Sequence, residues 1–172
     1  MQISYTSSRQ AQHQRFDARV AVIIPLIAIF VQAYLPLYLP FLRILDLPLL
    51  VALFFSVARR SPIYGLISGG IIGLLQDSLT HQEIGLFGIA KTIVGYLASS
   101  IGVKLDVDNP GSRFLMTGIF YLVHQGFYQM VAHGLAGREF AVRPGWLILA
   151  AVVNAVVAVP LFALLDRLQQ HS

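Results

Sequence analysis

An acid and a base, Asp77 and Lys91, stand within apolar runs of the stretch GLISGGIIGLLQDSLTHQEIGLFGIAKTIVGYLASSIG, residues 65–102. An acid and a base so placed suit a mutual ion pair, contact with a lipid headgroup or a partner chain, or one step of a proton or ion path. The last is the weakest fit, because no chain of further titratable groups continues it. A charge in the hydrocarbon core of a bilayer costs about 2.5–3.5 kcal/mol on insertion scales, so Lys91 is expected to face a bundle interior, to snorkel outward or to be paired. The expectation is that Asp77 and Lys91 face each other across two antiparallel helices near the outer third of a membrane. A second polar group, Tyr121, His124, Gln125 and Tyr128, shares one face of a helix, with Gln129 at its edge. It reads as a hydrogen-bonded packing seam, with ligand binding as the other use of such a stripe. His133 points to the opposite side of that helix from His124, whereas a zinc site needs three or four converging ligands.

Sharper motifs fail on inspection. DVDNPGSRF, residues 106–114, begins like a calcium loop, but Pro110 occupies a ligand position and Thr117 stands where the bidentate acid belongs. It reads as an Asn-Pro-Gly turn between helices. There is no G-x-S-x-G, no H-E-x-x-H and no P-loop lysine. The chain also has no cysteine, which excludes disulfides and thiolate metal sites. The expectation is a non-enzyme with no catalytic residue, no metal and no cofactor.

The elements that must carry these groups follow from composition. The 172 residues make one domain, and 56% hydrophobic against 12% charged residues contrasts with the roughly 25% charged of a soluble domain. A bilayer removes the need to cover that apolar surface. The net charge of +4 is scattered between apolar runs, not gathered in a stripe with aromatics, which excludes nucleic acid as a partner. Breakers and hydropathy predict an all-α transmembrane bundle of about six helices, at 20–42, 44–59, 62–79, 84–105, 113–136 and 144–166. Residues 1–19 then form an N-terminal arm without the marks of a cleaved signal, 20–166 the membrane domain, and 167–172 a short tail. Tyr34, Tyr38 and Phe41 beside Arg43 fit an interfacial belt, and Asn154 and Pro160 fit an interhelical hydrogen bond and a kink.

Eight lysines and arginines fall on the side of the termini and three, Arg43, Arg138 and Arg143, on the other. By the positive-inside rule both termini are cytoplasmic and residues 79–84 and 137–143 lie outside. Gly65, Ser68, Gly69, Gly73, Gln76 and Asp77 share a face of the third span, and Gly88, Lys91, Thr92, Gly95, Ser99 and Gly102 share a face of the fourth. Small residues at that spacing let helices approach closely, either within the bundle or against a partner.

The run GGIIGLLQDSLTHQEIGLFGIAKTIVGYLAS, residues 69–99, resembles the signature region of the MreD family of rod shape-determining membrane proteins. The likeness rests on Gly73, Leu74, Leu75 and Asp77, then Gly85 and Leu86, then Gly95, Tyr96 and Leu97. The chain departs from many members by having Asp46-Leu47-Pro48 where a Pro-Asp pair precedes the second helix. The resemblance implies a non-catalytic subunit of the bacterial cell-elongation machinery in the cytoplasmic membrane. Its implied partners are an MreC-like bitopic protein, MreB filaments and peptidoglycan synthases acting indirectly, and membrane lipids. It also implies a fold similar to the substrate-binding components of energy-coupling factor transporters. A vitamin-binding subunit of that kind is the alternative, although Ala18, Ala21, Ala28 and Ala33 do not give the four-residue alanine spacing by which such subunits dock.

Overall fold

The computed structural model describes residues 18–80, 83–102, 109–139 and 143–168. Residues 1–17 of the arm, Lys104, the tail beyond 168 and parts of the two expected outer loops lie outside the described residues. Among these residues there are six α-helices and no strand: α1 (Ala18–Tyr38), α2 (Leu47–Arg59), α3 (Pro62–Leu79), α4 (Leu86–Gly102), α5 (Pro110–Ala136) and α6 (Pro144–Asp166). A short 3-10 helix, Pro40–Ile44, joins α1 to α2.

Proline sets most of the helix starts. It occupies the first or second position of α2, α3, α5 and α6, where a missing N–H leaves no hydrogen bond unmade. Asp46, Ser61 and Asn109 cap α2, α3 and α5 through their side chains. These signals correct three expected boundaries. The first span ends at Tyr38, not 42, because Pro40 keeps Leu39 out of the helical region, at φ −128°. The second starts at Leu47, not 44, because Asp46 is its cap. The fifth starts at Pro110, not 113, so Asn-Pro-Gly opens a helix where a turn was expected.

The helix α2 is the centre of the molecule. Every residue from Pro48 to Ala58 is buried, and α2 touches all five other helices. Leu49, Leu50, Leu53, Phe54 and Phe55 form the middle of the largest apolar cluster, which Phe120 and Phe162 complete from α5 and α6. A helix apolar on every side belongs in such a place. Its thirteen residues span about 20 Å, short of the ~30 Å hydrocarbon core.

The outer helices behave oppositely. Segments Arg19–Tyr38 and Pro144–Asp166 are long and apolar enough to cross a membrane, and only 17% and 33% of their apolar windows are buried. A helix in a water-soluble core would bury that surface. Val22, Ile27 and Phe30 on α1 and Ile148, Val152 and Val156 on α6 face outward instead, as lipid-facing side chains do. The other expected spans are shorter or carry polar stripes turned inward, which lowers their hydropathy.

The closest helix pair is α3 with α4. A methyl group at Gly65 would run into the carbonyl of Gly95, one at Gly69 into the carbonyl of Lys91, and one at Gly73 into the backbone of Phe87 and Gly88. The carbonyl of Gly65 would meet a methyl group at Gly95. The two glycine faces read from the sequence thus meet each other inside the bundle, backbone against backbone. Ser99 Oγ adds a hydrogen bond of 2.8 Å to the Ser56 carbonyl of α2.

Candidate functional site

The chemistry-bearing side chains converge at the end of the bundle where α2, α4 and α6 begin. The main correction to the sequence reading lies there. Lys91 does not pair with Asp77: its Nζ stands 2.8 Å from Oδ2 of Asp46. It also lies 3.3 Å from Nε2 of His124 and 4.7 Å from the centre of the Phe87 ring. Carboxylate, imidazole and π-face thereby surround the ammonium group. Lys91 and His124 are both 0% exposed. An ammonium group can only donate, so Nε2 of His124 must accept and the ring proton belongs on Nδ1, which is 3.9 Å from Oδ2 of Asp46 and otherwise has no partner.

Asp46 holds its place because it is a helix cap. Its Oδ1 accepts from the Leu49 amide at 3.0 Å, leaving Oδ2 for Lys91. Its own amide donates to Oδ1 of Asn154 at 2.9 Å. Asn154 Nδ2 donates to the carbonyls of Ile44 and Ala150, both at 2.8 Å. Gln32 of α1 accepts from the Leu47 amide at 3.1 Å. One polar brace therefore ties the start of α2 to α1, α4, α5 and α6. A buried amide, acid and lysine so engaged, with the imidazole bound through Nε2, rigidify a packing arrangement.

Asp77 does a different job. Its Oδ2 accepts from the amides of Gly85 and Gly88 at 2.9 and 3.1 Å, and its Oδ1 from that of Phe87 at 3.1 Å. It closes the α3–α4 connection by satisfying the first amides of α4, which have no acceptor in their own helix. Gly85 permits the chain reversal at φ 107°. Three charge-assisted bonds at a helix start occupy the carboxylate that was expected to meet Lys91. The expected outcome for Asp77→Ala is a loss of at least the ~1–2 kcal/mol of a strong cap. It would be read as a lower thermal midpoint in detergent, with faster hydrogen exchange at Gly85, Phe87 and Gly88. Unchanged exchange at those amides would remove the capping role.

The α5 stripe divides among three tasks. His124 joins the brace. Tyr121 accepts a hydrogen bond from Gln125 at 3.0 Å, and the two line a cavity of about 390 Å³ between α5, α6 and the 3-10 helix. Tyr128 stacks on Phe87 with ring centres 4.7 Å apart and takes a hydrogen bond of 3.4 Å from Arg138. Arg138 pairs with Glu83, tying the two connections at that end, while Arg113 and Asp166 pair at 2.6 Å at the opposite end. Among the described residues no group of three His, Cys, Asp or Glu side chains is placed to hold a metal.

Asp46 was the residue the sequence reading passed over. Its signal was present in Asp46-Leu47-Pro48, an acid directly before a proline and a long apolar run, which is a helix-start pattern. With the whole chain compared against known proteins, a family model described as rod shape-determining protein MreD matches residues 14–168. Neither a curated protein nor a solved structure matches.

Proposed function

The chain belongs to the MreD family of rod shape-determining proteins, and from that premise we propose that it is a multi-pass, non-catalytic subunit of the cell-elongation machinery that scaffolds an MreC-like bitopic protein. In this reading residues 20–166 form one transmembrane domain with residues 1–19 and 167–172 in the cytoplasm. MreB filaments and peptidoglycan synthases are linked through the complex rather than bound by a catalytic pocket. The observation that carries the reading within the structure is the internal use of the strongest polar groups. Lys91, Asp46, Asp77 and His124 are all buried and directed at one another or at helix amides, which supports a rigid frame over a reaction centre. The proposed architectural likeness to substrate-binding components of energy-coupling factor transporters rests on the family resemblance, with which the all-helical order of six helices among the described residues is compatible.

Deletion from a rod-shaped host is expected to give rounded cells without a specific nutrient requirement. Purification in mild detergent followed by mass spectrometry should retain a bitopic partner at a fixed ratio. Normal rods that need one vitamin, with that vitamin bound to the purified protein, would reverse the choice. For orientation, cysteines replacing Ser78 and Glu139 should react with an impermeant thiol reagent in intact cells, while one replacing Arg167 is protected. The opposite pattern overturns the orientation, which rests on the positive-inside bias.

A further inference from the structure

The cavity of about 390 Å³ beside the brace is lined by Arg43 of the 3-10 helix, Arg143 and Trp146 at the start of α6, and Tyr121, Gln125 and Gln129 of α5. Its size falls within the range of ligand sites. Neither arginine has an acidic partner among the described residues, and both side chains are exposed. Tyr121 is 4% exposed, and because its hydroxyl oxygen accepts from Gln125, its own proton can be donated elsewhere. Arg143 caps α6 without a side-chain hydrogen bond, so the amides of Gly145 and Trp146 have no acceptor in their own helix. Two of its lining residues, Ile44 and Ala150, have their carbonyls engaged by Asn154, so the hollow adjoins the brace.

Positive charge and unspent donors thus reach one hollow from three elements. A carboxylate has two oxygens in a plane, whereas a phosphate offers oxygens in several directions, which suits donors arriving from the 3-10 helix, α5 and α6 together. The geometry points to a binding site for a phosphate group, with Arg43 and Arg143 as its cationic jaws and Gln129 and Tyr121 as neutral donors. The phosphate is that of a lipid headgroup or of a soluble phosphate compound. This inference does not rest on the scaffold reading, since a transporter-like chain would carry the same hollow.

Trp146 is the chain's single tryptophan and lines the cavity, so its fluorescence reports occupancy directly. The full chain is held in maltoside detergent, which carries no phosphate, and phosphatidylglycerol, inorganic phosphate or pyrophosphate is added. A saturable change with phosphatidylglycerol alone identifies a lipid phosphate, and one with the soluble ions identifies a soluble ligand. In either case the double variant Arg43→Gln/Arg143→Gln should bind at least about tenfold more weakly, the scale of losing charge-assisted hydrogen bonds. Arg43→Lys/Arg143→Lys should retain a large part of the response. If the glutamine variant does not fold, Gln129→Leu keeps both charges and should weaken binding severalfold. No response, an equal response to added diacylglycerol, or a response unchanged in the glutamine variant or, where that variant does not fold, in Gln129→Leu overturns the site.

Discussion

Lys91→Met is expected to cut the amount of folded protein in the membrane sharply, and Asp46→Asn to do so nearly as strongly. Removing the ammonium leaves the Asp46 carboxylate buried with the Leu49 amide as its remaining hydrogen-bond donor; removing the acid leaves Lys91, at 0% exposure, against an imidazole and a phenyl face. Breaking a buried pair by deleting one partner typically costs ~3–5 kcal/mol, and the side chain of Asp46, 10% exposed, puts this pair towards the lower end. The double variant Asp46→Asn/Lys91→Met should lose clearly less than the sum of the single losses, as contacting groups do. The measurements are membrane abundance and thermal midpoint in detergent for the complete cycle. The same cycle on Asp77 and Lys91 should show the smaller coupling, because Asp77 spends its oxygens on the amides of Gly85, Phe87 and Gly88. A larger coupling for Asp77 than for Asp46 would dismantle the brace as described.

The glycines make the second large prediction. Gly69→Ala places a methyl group into the carbonyl of Lys91, a backbone atom that cannot turn aside. Relief requires α3 and α4 to move apart along their whole contact, so the loss should reach or exceed the ~1–3 kcal/mol usual for overpacking. It should also disturb the brace, since the backbone of Lys91 is what the methyl group displaces. Two controls separate crowding from helix propensity. At Gly88 the added carbon crowds the flexible side chain of Leu74, its Cδ2 at 2.8 Å, and touches Asp77 Oδ2 at an ordinary 3.6 Å, with no backbone in the way, so Gly88→Ala should cost far less. At Gly126 nothing lies within 4 Å, and alanine there should be neutral or stabilising, because glycine inside a helix costs about 1 kcal/mol relative to alanine. Equal losses at Gly69 and Gly126 would refute the close-packing account.

The contrast between these two features shows what a sequence makes legible. The glycine faces of α3 and α4 were readable because helical periodicity alone puts Gly65, Gly69 and Gly73 in one column and Gly88 and Gly95 in another. Periodicity also identified His124 and Tyr121 as neighbours on α5. It could not choose the partner of Lys91, because that choice depends on how α2 is inserted between α3, α4 and α5, a matter of tertiary packing. Asp77 was the nearer acid along the chain and faced the right helix, yet the first turn of α4 had a stronger claim on it through three orphan amides. Asp46 looked like a boundary residue, and it is one. Its second role arises from Oδ2 being left free once Oδ1 caps the helix. The hollow between α5, α6 and the 3-10 helix was invisible for the same reason, since Arg43, Gln129 and Arg143 come from three separate elements.

The enclosed position of α2 also has a consequence for how the chain is made. Residues leave the ribosome in order, so Asp46 is synthesised 45 residues before the lysine that neutralises it and 108 residues before the asparagine that accepts from its amide. Until α4 arrives, the acid waits without its counter-charge, and until α6 arrives, the start of a helix too short to cross the bilayer unaided is held through Gln32 of α1 without Asn154. A chain cut short before α4 therefore leaves the Asp46 carboxylate without its ammonium partner, and one cut short before α6 leaves the Asp46 amide without the Asn154 acceptor.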